Sequence, residues 1–424
     1  MVLYKEGKSK PPYILFIKEE IKRMKKLLNI EYAAIHGTYW MYYGVICSFA
    51  SVFLLEKNYS NSEIGIILAV GNVLAVFLQP VTADLADRSK KISLIGISQL
   101  MTLLLMLLTF GFFILERKSL ALSVLFILCV AWLTVLQPLF NSLNFKLQES
   151  GIHINFGIAR SMGSLGYSLL CAVLGTLVEQ HGVRVLPITG EVVLILLLLS
   201  LALTKLHFQN AKNANVALEK HSLKDKELQH DVEINLIEFV KRNKVFMILN
   251  IGVLGVFFSN SVLNSFMMQI VTNVGGNSED MGRIFAVMAF LEIPTMFCFE
   301  WFRKKFTCQF MLKVASICFA LKIGMCYLAQ SVAMIFAAQF LQLFSFALFL
   351  PAMVHFIDEI MSRGEAVKGQ ALFTMTITVT TVISSMLGGF ILDISGAGLL
   401  NLTATIVTAL GALIIMFTVD KVHS

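Results

Sequence analysis

Apolar residues in this chain run in blocks of about twenty, interrupted by short polar breaks and apolar on every helical face. A helix rises about 1.5 Å per residue, so such a block covers the ~30 Å of hydrocarbon in a bilayer. Twelve blocks can be drawn, at 31–55, 63–83, 91–115, 120–142, 156–178, 184–204, 245–270, 280–302, 308–329, 332–354, 368–392 and 397–418. The sixth has the least defined start, because Pro187 and Glu191 lie in its opening turns. Strands of a membrane barrel would alternate apolar and polar positions over about 10 residues, and these blocks do not. Helices satisfy their own backbone groups in lipid, so the pattern predicts an all-α membrane protein with twelve transmembrane helices.

Composition agrees: 57% of residues are hydrophobic and only 14% charged, too little polar material to cover a soluble globule. Charge then sets orientation. Eight basic residues precede position 31 and eight more lie in 205–244. With Arg88, Lys90, Lys91, Lys146, Arg303, Lys304, Lys305, Lys313, Arg363, Lys368 and Lys421, they share one side. The opposite side holds Lys57, Arg117, Lys118, Arg184 and Arg283. The positive-inside rule places both termini and the long middle loop in the cytoplasm of a cell bounded by this plasma membrane. The net charge of +7 thus records topology and gives no reason to invoke nucleic acid.

Tyr13–Ile17 is too short an apolar run for a signal-peptide core, so the N-terminus is expected to be retained. Ile17, Ile21, Met24 and Leu28 recur at helical spacing beside Lys18, Lys22, Arg23, Lys25 and Lys26. That describes either an amphipathic helix on an anionic membrane face or a plain solvated tether. The seven cysteines form no Cys-x-x-Cys pair and have no His at ligand spacing, so neither metal nor disulfide is assigned and no cofactor is expected.

Residues 205–244 interleave Lys, Glu, His and Asn without an apolar period and read as a linker. The division is then an N-terminal segment 1–30, a six-helix bundle 31–204, the linker 205–244, a second six-helix bundle 245–418 and a tail 419–424. Shifting the first half by about 213 residues lays Pro138 on Pro351 and Gly157 within a residue of Gly369. Asp87-Arg88-x-Lys90-Lys91 also falls near Glu300-x-x-Arg303-Lys304-Lys305, as a parallel repeat would have it.

Ala83-Asp-Leu-Ala-Asp-Arg-Ser-Lys-Lys91 resembles the signature between the second and third helices of the major facilitator superfamily, with Ala83 and Lys90 standing where that pattern has glycines. The resemblance implies the major facilitator fold, two six-helix repeats related by an axis along the membrane normal. It also implies a cytoplasmic gate of Asp84, Asp87, Arg88 and Lys91, whose charge-assisted contacts close and open that side; ordinary membrane anchoring is the simpler account. Three further stretches are similar to the branch of lactose, nucleoside and phenylpropionate proton symporters: Pro138–Ser142 with Phe156–Gly166, Glu292-Ile-Pro294, and Gly369-Gln-Ala-Leu372. From these, Arg160 matches a family arginine that binds substrate together with an acid on the fourth helix. Here that acid is missing and the turn carries Asn141, leaving Arg160 to amide and hydroxyl partners. The acid and histidine of the family's tenth helix are likewise replaced near Gln342 and Ser345, while Lys322 sits where the family commonly has a basic residue.

Ionisable groups inside hydrocarbon are costly, which singles out Glu292 in the eighth span and Lys322 in the ninth. A salt bridge between them is expected. It is either a structural pair or the coupling site at which Glu292 gains and loses a proton. Gly157, Ser161, Ser164 and Ser168 form a small-residue stripe for close helix approach. His36, Trp40 and Tyr43, with Asn72, Asn260, Asn264 and Gln342, lie on helices from which the family builds its cavity; singly, each is as well explained as interhelical glue. Amides beside aromatics suit a sugar, a nucleoside or an aromatic acid. The reading is a monomeric, proton-coupled importer whose partners are a small-molecule substrate, protons and the bilayer. Proton-coupled efflux and a transport-dead nutrient sensor are the alternatives, and no nucleophile–base or metal set supports an enzyme.

Topology can be tested by labelling. Cysteines introduced at positions 215 and 118 should react with an impermeant maleimide from the cytoplasm and from outside respectively, and a swapped result would invert the orientation.

Overall fold

The computed structural model describes residues 12–88, 93–149, 152, 155–219, 239 and 242–423, and among them it is helical without a strand. α1 (Pro12–Tyr43) passes through a π-helical turn (Gly44–Ser48) into α2 (Ala50–Glu56), bent by 40°. α3 (Asn61–Arg88), α4 (Leu94–Ile114), α5 (Leu120–Glu149), α6 (Phe156–His181) and α7 (Val185–Glu219) follow. Beyond the middle loop come α8 (Lys244–Thr272), α9 (Ser278–Lys305) and α10 (Cys308–Leu328). The tenth sequence block is α11 (Val332–Gln339), a 3-10 turn (Phe340–Leu343) and α12 (Phe346–Ile360), and the chain ends in α13 (Arg363–Thr418) with a short 3-10 turn. Among the described residues, ten helices qualify as membrane spans by length and apolarity, eleven with the bent first pair.

The longest element is not one crossing. A straight helix of 56 residues would be ~84 Å long, far beyond a bilayer. Gly396 interrupts it with φ of 74°, a conformation that suits glycine. Before that point α13 runs parallel to α8: Thr376 meets Asn250, Thr381 meets Ser261 and Ser385 meets Ser265. After it the order reverses, since Gly252 lies against Ile415 and Gly255 against Gly411 and Val407.

Several expected boundaries shift. Residues 12–30 are continuous with α1, and Met24 and Leu28 join the apolar core of the bundle, while the side chains of 12–22 lie outside the described residues. Residues 205–219 of the expected linker continue α7, while 220–238 and 240–241 lie outside the described residues. The doubtful sixth span begins cleanly at Val185, because Pro187 occupies the first turn, where a missing N–H costs nothing. Prolines deeper in helices leave a carbonyl one turn earlier without its donor. For Pro138 that carbonyl belongs to Thr134, and Gln79 of α3 supplies an amide at 3.5 Å.

Tyrosines stitch α1 into the first half: Tyr32 donates to Phe140 O at 3.0 Å and Tyr39 to Leu133 O at 3.3 Å, while Tyr42 meets Thr109. Helices from the two sides of the middle loop touch at the end remote from that loop. Asp393 accepts from the backbone N–H groups of Asn61 and Ser62 and from the Asn61 amide at 2.8–3.0 Å. Gln269 donates to Asn61 at 2.8 Å, and Glu179 accepts from Ser278 N at 3.2 Å. Glycines allow this proximity. A Cβ at Gly65 would lie 2.1 Å from Ser385 O, one at Gly389 2.2 Å from Asn61 O, and one at Gly282 2.5 Å from Cys171 O. Toward the linker end the same stripes separate: Val76 on α3 and Thr374, Ala371 and Val367 on α13 continue them at helical spacing and are exposed. The bundle is thus closed at one end and open at the other.

Gly65→Val should hold the closed end apart. A cysteine at position 62 would then react with impermeant maleimide from the side remote from the linker at least tenfold faster than in the parent; an unchanged rate would mean this end does not depend on the Gly65 contact.

Candidate functional site

The central site begins where α1 and α6 cross. Gly166 rests against the Gly37 backbone, and a Cβ at Gly163 would come within 2.5 Å of the Trp40 ring, so glycine at these positions seats the indole. Arg160, one turn along α6, lays its guanidinium over that indole, 4.4 Å from the ring centroid, a cation–π contact. Tyr43 packs against Trp40 with ring centroids 5.1 Å apart, and the buried His36 meets Tyr32 edge-on at 4.8 Å. The sequence stripe divides accordingly. Ser164 and Ser168 face α9, where Ser168 donates to Ala286 O at 2.7 Å, whereas Gly157 sits exposed at the linker end.

Ser164 links the two halves. Arg160 Nη1 donates to Ser164 Oγ at 3.3 Å, and Ser164 Oγ donates to Glu292 Oε2 at 3.3 Å. The other carboxylate oxygen accepts from Gln342 Nε2 at 3.0 Å. Lys322 Nζ donates to Gln342 Oε1 at 2.5 Å. An ammonium can only donate, so it fixes the amide oxygen toward itself and turns the NH₂ toward the carboxylate. The result is a continuous run, Arg160–Ser164–Glu292–Gln342–Lys322, spanning α6, α9, the 3-10 turn and α10. Lys322 and Gln342 are 1% and 2% exposed, whereas Arg160 and Glu292 keep part of their surface open.

The expected direct Glu292–Lys322 salt bridge is therefore replaced by a bridging amide. Counted from the ends remote from the linker, Glu292 lies 14 residues along α9 and Lys322 only 6 from the end of α10, so their depths differ by about 12 Å. Gln342, ten residues past Val332, falls between them. It reaches inward because the tenth span is not a continuous α-helix: the 3-10 turn carries Gln342, and Thr295 Oγ1 anchors that turn by donating to Leu343 O at 2.9 Å. Ser164 and Gln342 were readable in sequence only as a packing residue and as one amide among several.

Other expected residues scatter in role. Asn72 donates to Leu68 O of its own helix at 2.8 Å and is occupied there. Asn260 is buried with its Oδ1 lacking a hydrogen-bond partner among the described residues; Asn264 and Asn141 are half-buried. The threonines from Thr374 to Thr381 bond back onto α13, as structural hydroxyls do. Of the expected gate, Asp84 is exposed at the open end, while the side chains of Asp87 and Arg88 and all of Lys91 lie outside the described residues. His355 and Asp358 do not pair. His355 stacks on Phe299 at 5.4 Å, accepts from Arg303 at 3.4 Å and lies 3.9 Å from Glu300, and Asp358 accepts from Gln370 at 2.8 Å.

Residues 32–402 match the family described as the MFS_1 like family. A curated relative, the uncharacterized transporter YwbF of Bacillus subtilis (strain 168), is 23% identical over 272 residues, which is 62% of this chain and 62% of that relative, so the match spans less than two thirds of its length. Among solved structures, the nucleoside transporter NupG superposes with a TM-score of 0.72 at 13% identity, over 92% of this chain and 98% of that one. A bacterial homologue of the human lysosomal transporter Spinster, in an inward-facing and unoccupied conformation, gives 0.55 at 15% identity over 94% of both chains. At such identities the likeness establishes a shared fold.

The bridging role of Gln342 predicts a stability pattern. Gln342→Leu strands the Lys322 ammonium in an apolar interior, a loss of about 3–5 kcal/mol where burial is complete. Adding Lys322→Met removes the stranded charge, so in detergent the double variant should melt above Gln342→Leu alone. A double variant melting at or below the single would mean that Gln342 and Lys322 are not coupled.

Proposed function

The chain belongs to the MFS_1 like family of major facilitator transporters, and from that premise we propose that it imports a small organic solute by alternating access, driven by a co-transported proton. The bent first helix and the reversal at Gly396 bring the reading to twelve crossings, in halves 31–204 and 245–418 that rock about the site between them. Both termini and the linker are cytoplasmic on this reading, as the basic residues favour. The closed end then faces outward and the open end inward.

The observation that carries the proposal is the Ser164–Glu292 contact, which lies where the two halves meet below the closed end, with a cation on either side. As a carboxylate, Glu292 accepts from both Ser164 and Gln342 and binds the halves together. Once protonated, it must place one O–H as a donor and is a weaker acceptor, so the hold between halves loosens. A solute bound among Trp40, Tyr43, His36 and Arg160 of the first half and Asn260, Asn264 and Gln342 of the second would bias the same equilibrium. On the cytoplasmic side, Asp84, Asp87, Arg88 and Lys91 are assigned to the contact that forms when this end closes, facing the repeat-related Glu300–Arg303 pair at 3.4 Å.

Glu292→Gln mimics the protonated form at nearly constant volume. In proteoliposomes assayed with tritiated uridine, lactose and phenylpropionate, it should keep exchange of whichever solute the parent carries, and lose accumulation against a gradient under an imposed inward proton gradient. Accumulation at the parent level would remove Glu292 from coupling.

A further inference from the structure

The central site carries unequal charge. Apart from the Lys and Arg of the two membrane faces, Arg160 and Lys322 are the cations of the apolar spans, and Glu292 is the carboxylate whose charge acts on both. Two cations therefore share one acid. A proton on Glu292, or on His36 beside Arg160, would widen the imbalance. The acids elsewhere in the spans lie away from it: Glu31 pairs with His207, Asp393 caps α3 at the closed end, and Glu191 of α7, with one carboxyl oxygen buried without a hydrogen-bond partner among the described residues, lies beside Tyr42 and Cys129. A net positive charge in a low-dielectric site is stable only when a counter-ion reaches it.

The hydrogen bonds show where that counter-ion would sit. Both oxygens of Glu292 are taken by neutral donors, and neither cation touches the carboxylate directly. Lys322 is sealed behind Gln342, but Arg160 keeps part of its surface open and offers five N–H donors, of which one is spent on Ser164. Its seat over Trp40 anchors the guanidinium, and the N–H groups not spent on Ser164 remain for a planar, bidentate acceptor. Trp40 and Tyr43 supply an apolar wall next to the guanidinium.

We infer that the transported solute is an organic monocarboxylate whose carboxylate binds the Arg160 fork and whose apolar body rests against Trp40 and Tyr43. This rests on the transporter reading and narrows it: neutral sugars and nucleosides would leave the positive charge uncompensated. The charge accounting also sets the energetics of transport. A monocarboxylate moving with one proton carries no net charge, so a proton gradient drives it and membrane potential does not, whereas a neutral solute with a proton is driven by both.

The test compares benzoate, benzamide, phenylphosphonate and uridine on purified protein by intrinsic tryptophan fluorescence, then in proteoliposomes. Benzoate should bind at least tenfold more tightly than benzamide, its neutral near-isostere. Arg160→Lys, which keeps the charge but loses the fork, should weaken benzoate at least tenfold with little change in the affinity for benzamide. In vesicles, the accumulation of labelled benzoate in excess of its passive entry into protein-free vesicles should follow an imposed pH gradient and be unaffected by a potassium diffusion potential with valinomycin. Equal binding of benzoate and benzamide, absence of benzoate binding, binding of uridine in place of benzoate, or accumulation driven by potential alone would each overturn the inference. Tighter binding of phenylphosphonate than of benzoate would overturn the carboxylate assignment. Benzoate that binds through Arg160 but is not moved would leave the anion site standing and sink the transporter reading. Because the benzoate–benzamide contrast is made on the parent protein, it does not depend on a variant that folds.

Discussion

Charge placed in hydrocarbon has to be compensated, and the arrangement of this bundle around its centre follows from that requirement. Arg160, Glu292 and Lys322 come from three helices at different depths, so they cannot collapse into one ion pair. A hydroxyl and an amide fill the gaps: Ser164 between the first two and Gln342 between the last two. Neutral spacers hold the charges within electrostatic reach while leaving each free to exchange partners, which a tight salt bridge would resist.

The surrounding helices are shaped to deliver those groups. Gly163 and Gly166 bring α6 against α1 so that Trp40 can lie under Arg160. The tenth span interrupts its α-helix with a 3-10 turn that turns Gln342 inward, and the Thr295–Leu343 contact holds that turn to α9 beside Pro294. Where backbone geometry departs from the helix, a side chain meets the carbonyl that is released, as Gln79 does opposite Pro138. Irregular backbone in a membrane is tolerated on that condition.

Closure at one end has a different basis from the cohesion of each half. Within the first half, tyrosine hydroxyls reach across helices to backbone carbonyls, and the packing is aromatic. Across the closed end, glycines meet backbone and an aspartate caps the first turn of α3, beside apolar side chains of both halves that pack into one cluster, with Tyr167 edge-on to Phe285. Glycine at these positions lets the backbones of the two halves approach closely, which larger side chains would prevent.

What was legible in the sequence was everything that depends on one helix at a time. Apolar block length places the spans because transfer from water to lipid is a sum over residues that needs no partner. Glu292 and Lys322 stood out because an isolated charge in such a block is expensive wherever its neighbours lie, and Arg160 stood out through the family resemblance. Pairing was not legible. Whether Lys322 meets Glu292 or an amide depends on the relative depth and rotation of α9, α10 and the 3-10 turn, and whether Asn72 faces a cavity or its own carbonyl depends on a rotamer chosen by packing. The fate of residues 12–30 likewise turned on the neighbours that buried Met24 and Leu28. Hydropathy is a property of single segments, whereas a site is a property of the distances between them, and those distances are set only when helices pack.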